Sequence, residues 1–307
     1  MATKRKSLLT PWRVILTSII VLVIAVWGTW LLIDGKSMDV LDPKGPIAEQ
    51  QRGLIIGTVL LSIVVVIPVY TMLGVFAWKY REGNKKARYT PDVEGNRLLE
   101  TIWWGIPIII IVILSVITFI TSHQLDPQRK LYSVKGDAVN VQVIALQWKW
   151  LFLYPDHGVA SVNELRMPVG TPVNFEISAD APMSAFWIPK LGSQTYAMNG
   201  MSSKLSLQAD EAGEFTGRNT NINGEGYSSM HFKVRAMPEQ LFDTWLRTTE
   251  KTNESNNQYL DFEVYKRVLT RQEKDVPVKY FHLRDKELYD KIMQQFMPKD
   301  QQHGGGH

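Results

Sequence analysis

The chain has 307 residues, 34 Lys+Arg against 30 Asp+Glu, 45% hydrophobic residues and no cysteine. Without a thiol it cannot build a disulfide scaffold, a zinc finger, an iron–sulfur cluster, a cysteine nucleophile, a thiolate copper centre or a cysteine-linked lipid anchor. Its averaged hydropathy is that of an ordinary soluble protein, yet every long uncharged apolar stretch lies before residue 123.

Residues 14–33, 53–78 and 101–122 carry no charge over 20, 26 and 22 positions. About 20 apolar residues cross a bilayer core, so the pattern predicts three membrane-spanning helices. The tail 1–13 holds Lys4, Arg5, Lys6 and Arg13 with no acid, and the segment 79–100 holds six Lys/Arg against four acids. Both are expected on the cytoplasmic side, with 34–52 and everything after Ser122 outside. The formal net charge of +4 is therefore read as topology, and nucleic acid is not an expected partner. A cleaved signal peptide competes with the first span. The run exceeds the roughly 7–15 residues of a signal core, and Leu32-Ile33-Asp34-Gly35-Lys36 has no small-x-small cleavage pattern, so retention is expected. Trp12, Trp27, Trp30, Trp78, Trp103 and Trp104 gather toward the span ends, where indoles prefer the interface. Pro68 and Pro107 lie inside spans two and three, where kinks are expected.

After His123 the texture becomes short alternating runs: 139–145, 173–177, 204–209 and 229–234. These predict strands of a small β-sandwich or barrel. From Pro238 onward Leu241, Trp245, Tyr259, Phe262, Tyr265, Val268, Tyr289, Ile292 and Phe296 recur at spacings near three or four, which predicts an amphipathic, aromatic-rich helical appendage. It would either close the β domain or offer a docking surface. The end, 301–307, is expected to be a disordered tail in which two histidines bind metal weakly at most.

The fold class expected is thus a membrane-anchored α+β chain. Residues 1–52 hold the cytoplasmic tail, first helix and an external loop; 53–122 form a two-helix hairpin; 123–237 form the β domain; 238–300 form the appendage, and 301–307 the tail.

Three longer runs carry a resemblance: Leu41-Asp42-Pro43-Lys44-Gly45, Ala145-Leu146-Gln147-Trp148-Lys149-Trp150-Leu151-Phe152, and Ile188-Pro189-Lys190-Leu191-Gly192-Ser193-Gln194-Thr195-Tyr196-Ala197-Met198. In this order they resemble subunit II of the haem–copper terminal oxidases, in the cytochrome-o-type ubiquinol oxidase branch. The resemblance covers about 41–233 and, more weakly, the appendage. It implies that the β domain is cupredoxin-like and sits outside a bacterial inner (plasma) membrane, on the periplasmic side. It implies a respiratory quinol:oxygen oxidoreductase in which this chain is a non-catalytic subunit. Subunit I would carry the haems and copper, with further small membrane subunits alongside, and the complex would oxidise ubiquinol, reduce oxygen to water and translocate protons.

Cytochrome-c-using relatives hold a two-copper centre in this domain. By resemblance its ligand positions fall on Ser184, Asn223, Glu225, Tyr227, His231 and Val234. Only Glu225 and His231 keep the family's residue, and neither an amide nor a phenol replaces the bridging thiolates. No metal is therefore expected on this chain, and no cytochrome c partner. A lone His231 between Met230 and Phe232 is expected to be structural. Met183, Met198, Met201 and Met230 leave a second reading, a free-standing membrane-anchored copper carrier, against methionine as core filler.

Trp148 and Trp150, two apart, are expected to face the same way on one strand, as core or interface packing. Related subunits are often processed and acylated at a cysteine just before the Leu-Asp-Pro-Lys-Gly run. That register falls on Lys36 here, which excludes lipidation, while cleavage without it stays open. Glu100, in Asn96-Arg97-Leu98-Leu99-Glu100-Thr101-Ile102-Trp103, complements a helix N-terminus. The run also resembles the family segment whose glutamate marks the mouth of a proton-uptake channel into subunit I.

Overall fold

Alternating apolar and polar residues give each strand one face for a shared interior, and two sheets close around that interior. The computed structural model describes residues 38–84, 95–129, 131 and 138–296, together with Ile19, Ile20, Val23 and Trp27. The first expected span, 14–33, otherwise lies outside the described residues, as does the tail 301–307. The chain divides into two compact units, one containing Gly53–Thr121 and the other containing Asp39–Arg52 with the residues from Ser122 on.

Two described helices, α1 (Pro46–Lys79) and α2 (Arg97–Gln124), are long and apolar enough to cross a membrane. No residue of α2 is buried, and Leu60, Leu73, Trp104 and Phe119 stand exposed. In water such surface would be costly; in lipid it is the natural face of a spanning helix. Asn96 starts α2, its side-chain oxygen accepting from the backbone N–H of Leu98 at 3.0 Å and Leu99 at 3.2 Å.

The larger unit is a sandwich. Its strands are β1 (Val139–Leu146), β2 (Lys149–Tyr154), β3 (Val159–Val162), β4 (Glu164–Pro168), β5 (Val173–Ala179), β6 (Ser184–Ile188), β7 (Gly192–Ala197), β8 (Ser203–Leu207), β9 (Gly213–Asn219), β10 (His231–Met237), β11 (Tyr259–Leu260) and β12 (Lys279–Leu283). One sheet runs β11-β12-β3-β2-β1-β5-β8 and the other β4-β10-β9-β6-β7. β10 begins at His231, two residues later than the alternation suggests, because Tyr227–Ser229 form a 3-10 turn. The interior holds Trp150, Phe152, Phe175, Phe186 and Phe232. Phe186 and Phe232 stack at 5.2 Å, and Trp150 meets both edge-on at 5.3 and 5.6 Å.

The appendage departs from the helical expectation. It contains α3 (Glu239–Ser255) and α4 (Leu288–Gln294), but also β11 and β12, and β12 pairs antiparallel with β3 to extend the larger sheet. The reason is that β2 and β3 are buried on both faces, so the outer face needs a cover. Leu260, Tyr265, Leu269, Leu283, Leu288, Tyr289 and Ile292 form a second core against Ile144, Leu146, Leu151 and Leu153. The recurring aromatics are mostly spent on closing the domain.

Polar contacts fix this cover. Glu164, almost fully buried, accepts from Arg166 Nε at 3.0 Å and from the Tyr280 hydroxyl, and is ion-paired with Arg235 at 2.9 Å. The Arg166 guanidinium lies 4.9 Å over Trp245 of α3. Tyr265, at the start of a π-helical turn (Tyr265–Leu269), donates its hydroxyl to Asp180. Burial raises the Asp180 carboxyl above its ordinary 3.8, against the lowering effect of that hydrogen bond. The folded state therefore holds this proton more tightly than the unfolded chain. The resulting stabilisation is fully present below 3.8 and is lost as the pH rises through the folded value. Asp180→Asn is expected to flatten that part of the stability profile, as checked by thermal unfolding of the intact protein across pH. An unchanged slope would assign the dependence elsewhere.

The first and third resembling runs meet in space. Lys44 N–H donates to the Lys190 carbonyl at 2.7 Å, and Lys190 donates to Asp42 at 2.7 Å. A Cβ on Gly45 would sit 2.2 Å from the Gln208 carbonyl oxygen, and one on Gly192, at φ +102°, 2.8 Å from the Ala48 nitrogen. Both glycines are required where this segment lies on the sandwich.

Candidate functional site

The site grows from the β9–β10 connection, the start of β6 and the β1–β2 turn. Asn223 Nδ2 donates to Ser184 Oγ at 2.9 Å and lies 3.5 Å from the Met230 sulfur. Ser184 is fully buried and donates to the Pro182 carbonyl at 3.2 Å. Two positions named for metal binding are thus joined by a neutral hydrogen bond. The remaining ones do not converge on it as donors. Glu225 is exposed and ion-paired with Lys274 at 3.2 Å. Tyr227, half-buried, and His231, exposed, line a shallow cleft with Thr216 and Arg218. Val234 is buried in the interior and offers no ligand atom.

This donor set does not fit a two-copper centre. An amide, a hydroxyl and a phenol supply no soft bridging anion, and the one imidazole points from an exposed strand end. The amide-hydroxyl pair instead holds the connection to β6. Of the methionines, Met230 is buried, Met198 half-buried, and Met183 and Met201 are exposed. They sit on separate connections: before β6, after β7 and before β10.

The two tryptophans are not on one strand. Trp150 lies in β2, but Trp148 occupies the β1–β2 turn at φ +64°. Pairing of Leu146 with Lys149 leaves only Gln147 and Trp148 to reverse the chain, and the reversal holds Trp148 at positive φ. Both rings still pack against the same interior. The Trp148 indole presses on the 223–227 connection, where a Cβ on Gly226 would come within 2.1 Å of the ring. The Lys274 ammonium lies 5.3 Å over the same ring.

Sequence reasoning did not single out what anchors that lysine. Lys149, 1% exposed, donates to the Arg271 carbonyl at 2.8 Å and lies 3.6 Å from Glu273. Burial pushes its ammonium below the ordinary value, and Glu273 partly opposes this. Asn163 donates to the Val276 carbonyl and accepts from Trp150 N–H, both at 2.8 Å. The segment 271–276 is therefore tied to the sandwich at both ends. The available signal was a lysine inside the apolar run Trp148-Lys149-Trp150-Leu151-Phe152, which requires a buried partner.

Glu100 belongs to the other unit. It sits in the first turn of α2, exposed, with its N–H donating to the Asn96 carbonyl at 2.9 Å. Its Oε1 lies 3.0 Å from where a Gly95 Cβ would be, so the carboxylate folds back over the capping turn.

The family model described as cytochrome c oxidase subunit II, transmembrane domain, matches residues 36–120, and that for the periplasmic domain matches 159–237. The cytochrome bo(3) ubiquinol oxidase subunit 2 of Pseudomonas aeruginosa is 41% identical over 277 residues, covering 90% of this chain and 82% of the relative. That of Pseudomonas putida is 47% identical over 223 residues, covering 72% and 70%. The ubiquinol oxidase subunit 2 of Acetobacter aceti is 40% identical over 267 residues, covering 87% and 85%.

Proposed function

The chain belongs to the ubiquinol oxidase subunit 2 family, and from that premise we propose that its complex takes electrons from ubiquinol in the membrane and passes none through this chain. It is a membrane-anchored subunit with an external C-terminal β domain, belonging with a subunit I. The observation that carries the proposal is the Asn223–Ser184 hydrogen bond at the copper-ligand positions. With no thiolate anywhere in the sequence, the external domain has no relay for a soluble donor.

In this reading the haems and copper reside on subunit I, and small membrane subunits complete the assembly. The β domain covers the external face of subunit I, and the apolar faces of α1 and α2 meet its helices and the lipid. Glu100 serves as the proton-uptake entrance. An exposed carboxylate at the start of α2, on the cytoplasmic side by the charge pattern, can collect protons and hand them inward.

The test is oxygen uptake by the purified complex with a short-chain ubiquinol or reduced cytochrome c as donor. Ubiquinol is expected to sustain turnover, with cytochrome c giving about the rate of the no-donor control. Turnover with cytochrome c alone would overturn the proposal.

A further inference from the structure

At the cytoplasmic end of α1 the structure holds two cations in a defined place. The Arg81 guanidinium lies 5.3 Å over the Trp78 ring, and the Lys79 ammonium 5.5 Å over the Tyr80 ring. Asn84 closes the helix end, its Nδ2 donating to the Lys79 carbonyl at 2.5 Å. Neither Lys79 nor Arg81 has a carboxylate partner within ion-pair distance among the described residues, although Glu82 is adjacent in sequence. Tyr80 is 57% exposed. The sequence continues with Lys85, Lys86 and Arg88.

We propose that Lys79 and Arg81, held on Tyr80 and Trp78, form a binding site for the phosphate of an anionic phospholipid in the cytoplasmic leaflet. Indole and phenol rings settle at the headgroup level. A cation stacked on such a ring is kept at that depth instead of sampling bulk water. Two cations with no ion-pair partner among the described residues are free to attract an anion there, and the leaflet supplies one as lipid phosphate. The placement rests on the membrane topology but not on the donor the complex uses, so the two can fail separately.

The test uses the full-length chain in its native complex, reconstituted in phosphatidylcholine with a minor fraction of spin-labelled phosphatidylglycerol. Immobilised label is compared with that from spin-labelled phosphatidylcholine. Each cation near an anionic surface contributes about a fivefold preference. The double variant Lys79→Gln/Arg81→Gln is therefore expected to lose roughly 10- to 30-fold in relative affinity for the immobilised site. Lys79→Arg/Arg81→Lys, which keeps both charges, should retain the preference and controls for assembly. Raised salt should weaken it in the wild type. Equal retention of both lipids by the wild type, or a preference unchanged in the neutral double variant, would overturn the proposal.

Discussion

Gly217→Val is expected to destabilise the external domain strongly and lower its unfolding temperature. Gly217 on β9 lies opposite Phe232 on β10, and a Cβ there would fall 2.0 Å from the ring's Cζ and 2.6 Å from Cε1. The ring cannot yield, because it is stacked on Phe186 at 5.2 Å and meets Trp150 and Phe152 at 5.6 and 5.1 Å. Overpacking a closed interior costs about 1–3 kcal/mol, and here the clash is with the ring cluster at its centre, so about 3 kcal/mol or more is expected. That is a large share of the roughly 5–15 kcal/mol that holds a domain together. Thermal unfolding of the purified protein reads the loss. The milder Gly217→Ala combined with Phe232→Leu should be less destabilised than the sum of the two single changes, because the smaller side chain vacates the space the Cβ needs. Strict additivity would mean that the two positions do not contend for one space.

Glu100→Gln carries the second large effect, on turnover. The amide keeps the size and the place in the first turn of α2, where the glutamate is exposed, but it cannot carry a proton. If the carboxylate is the uptake entrance, quinol-driven oxygen uptake falls by roughly tenfold. That is less than the ~100-fold or more of a positioned acid or base in a chemical step, since water still reaches the mouth. Haem content and subunit composition stay as in the wild type. Losing the charge at a helix N-terminus costs only about 0.3–1 kcal/mol, too little to disturb assembly. Unchanged turnover in a correctly assembled complex would leave Glu100 as a helix-terminal charge and nothing more.

The parts of the fold legible in the sequence were those set by periodicity. Residues 139–145 and 173–177 lie within β1 and β5, because an alternating run has one satisfactory way to bury its apolar face. The uncharged runs at 53–78 and 101–122 lie inside α1 and α2 for the same kind of reason. The appendage departs from the helical reading because Tyr259, Phe262 and Tyr265 recur at a spacing that fits a helix, while the pairing of β11 with β12 and of β12 with β3 is a long-range fact absent from local spacing. Trp148 was misplaced because alternation was carried one residue past the strand into a turn.

For the site, the sequence told which ligand types were missing but not what replaced them. The Asn223–Ser184 bond joins residues 39 apart, and the tie from Lys149 to Arg271 spans 122. Neither partner announces the other. Gly45 and Gly192 were visible as members of resembling runs, yet their reason, a backbone lying within contact distance of each, appears only in three dimensions.

The central claim, that this chain is the metal-free subunit II of a quinol-oxidising complex, is tested most directly by purifying the protein from membranes through a tag on this chain. Haem absorption and copper content are then read on the same sample. The account predicts a large haem-bearing partner in fixed ratio, copper no greater than that partner accounts for, and ubiquinol-dependent oxygen uptake. Copper bound to this chain with no haem and no large partner would contradict it, and would turn attention to Met183, Met198, Met201 and His231.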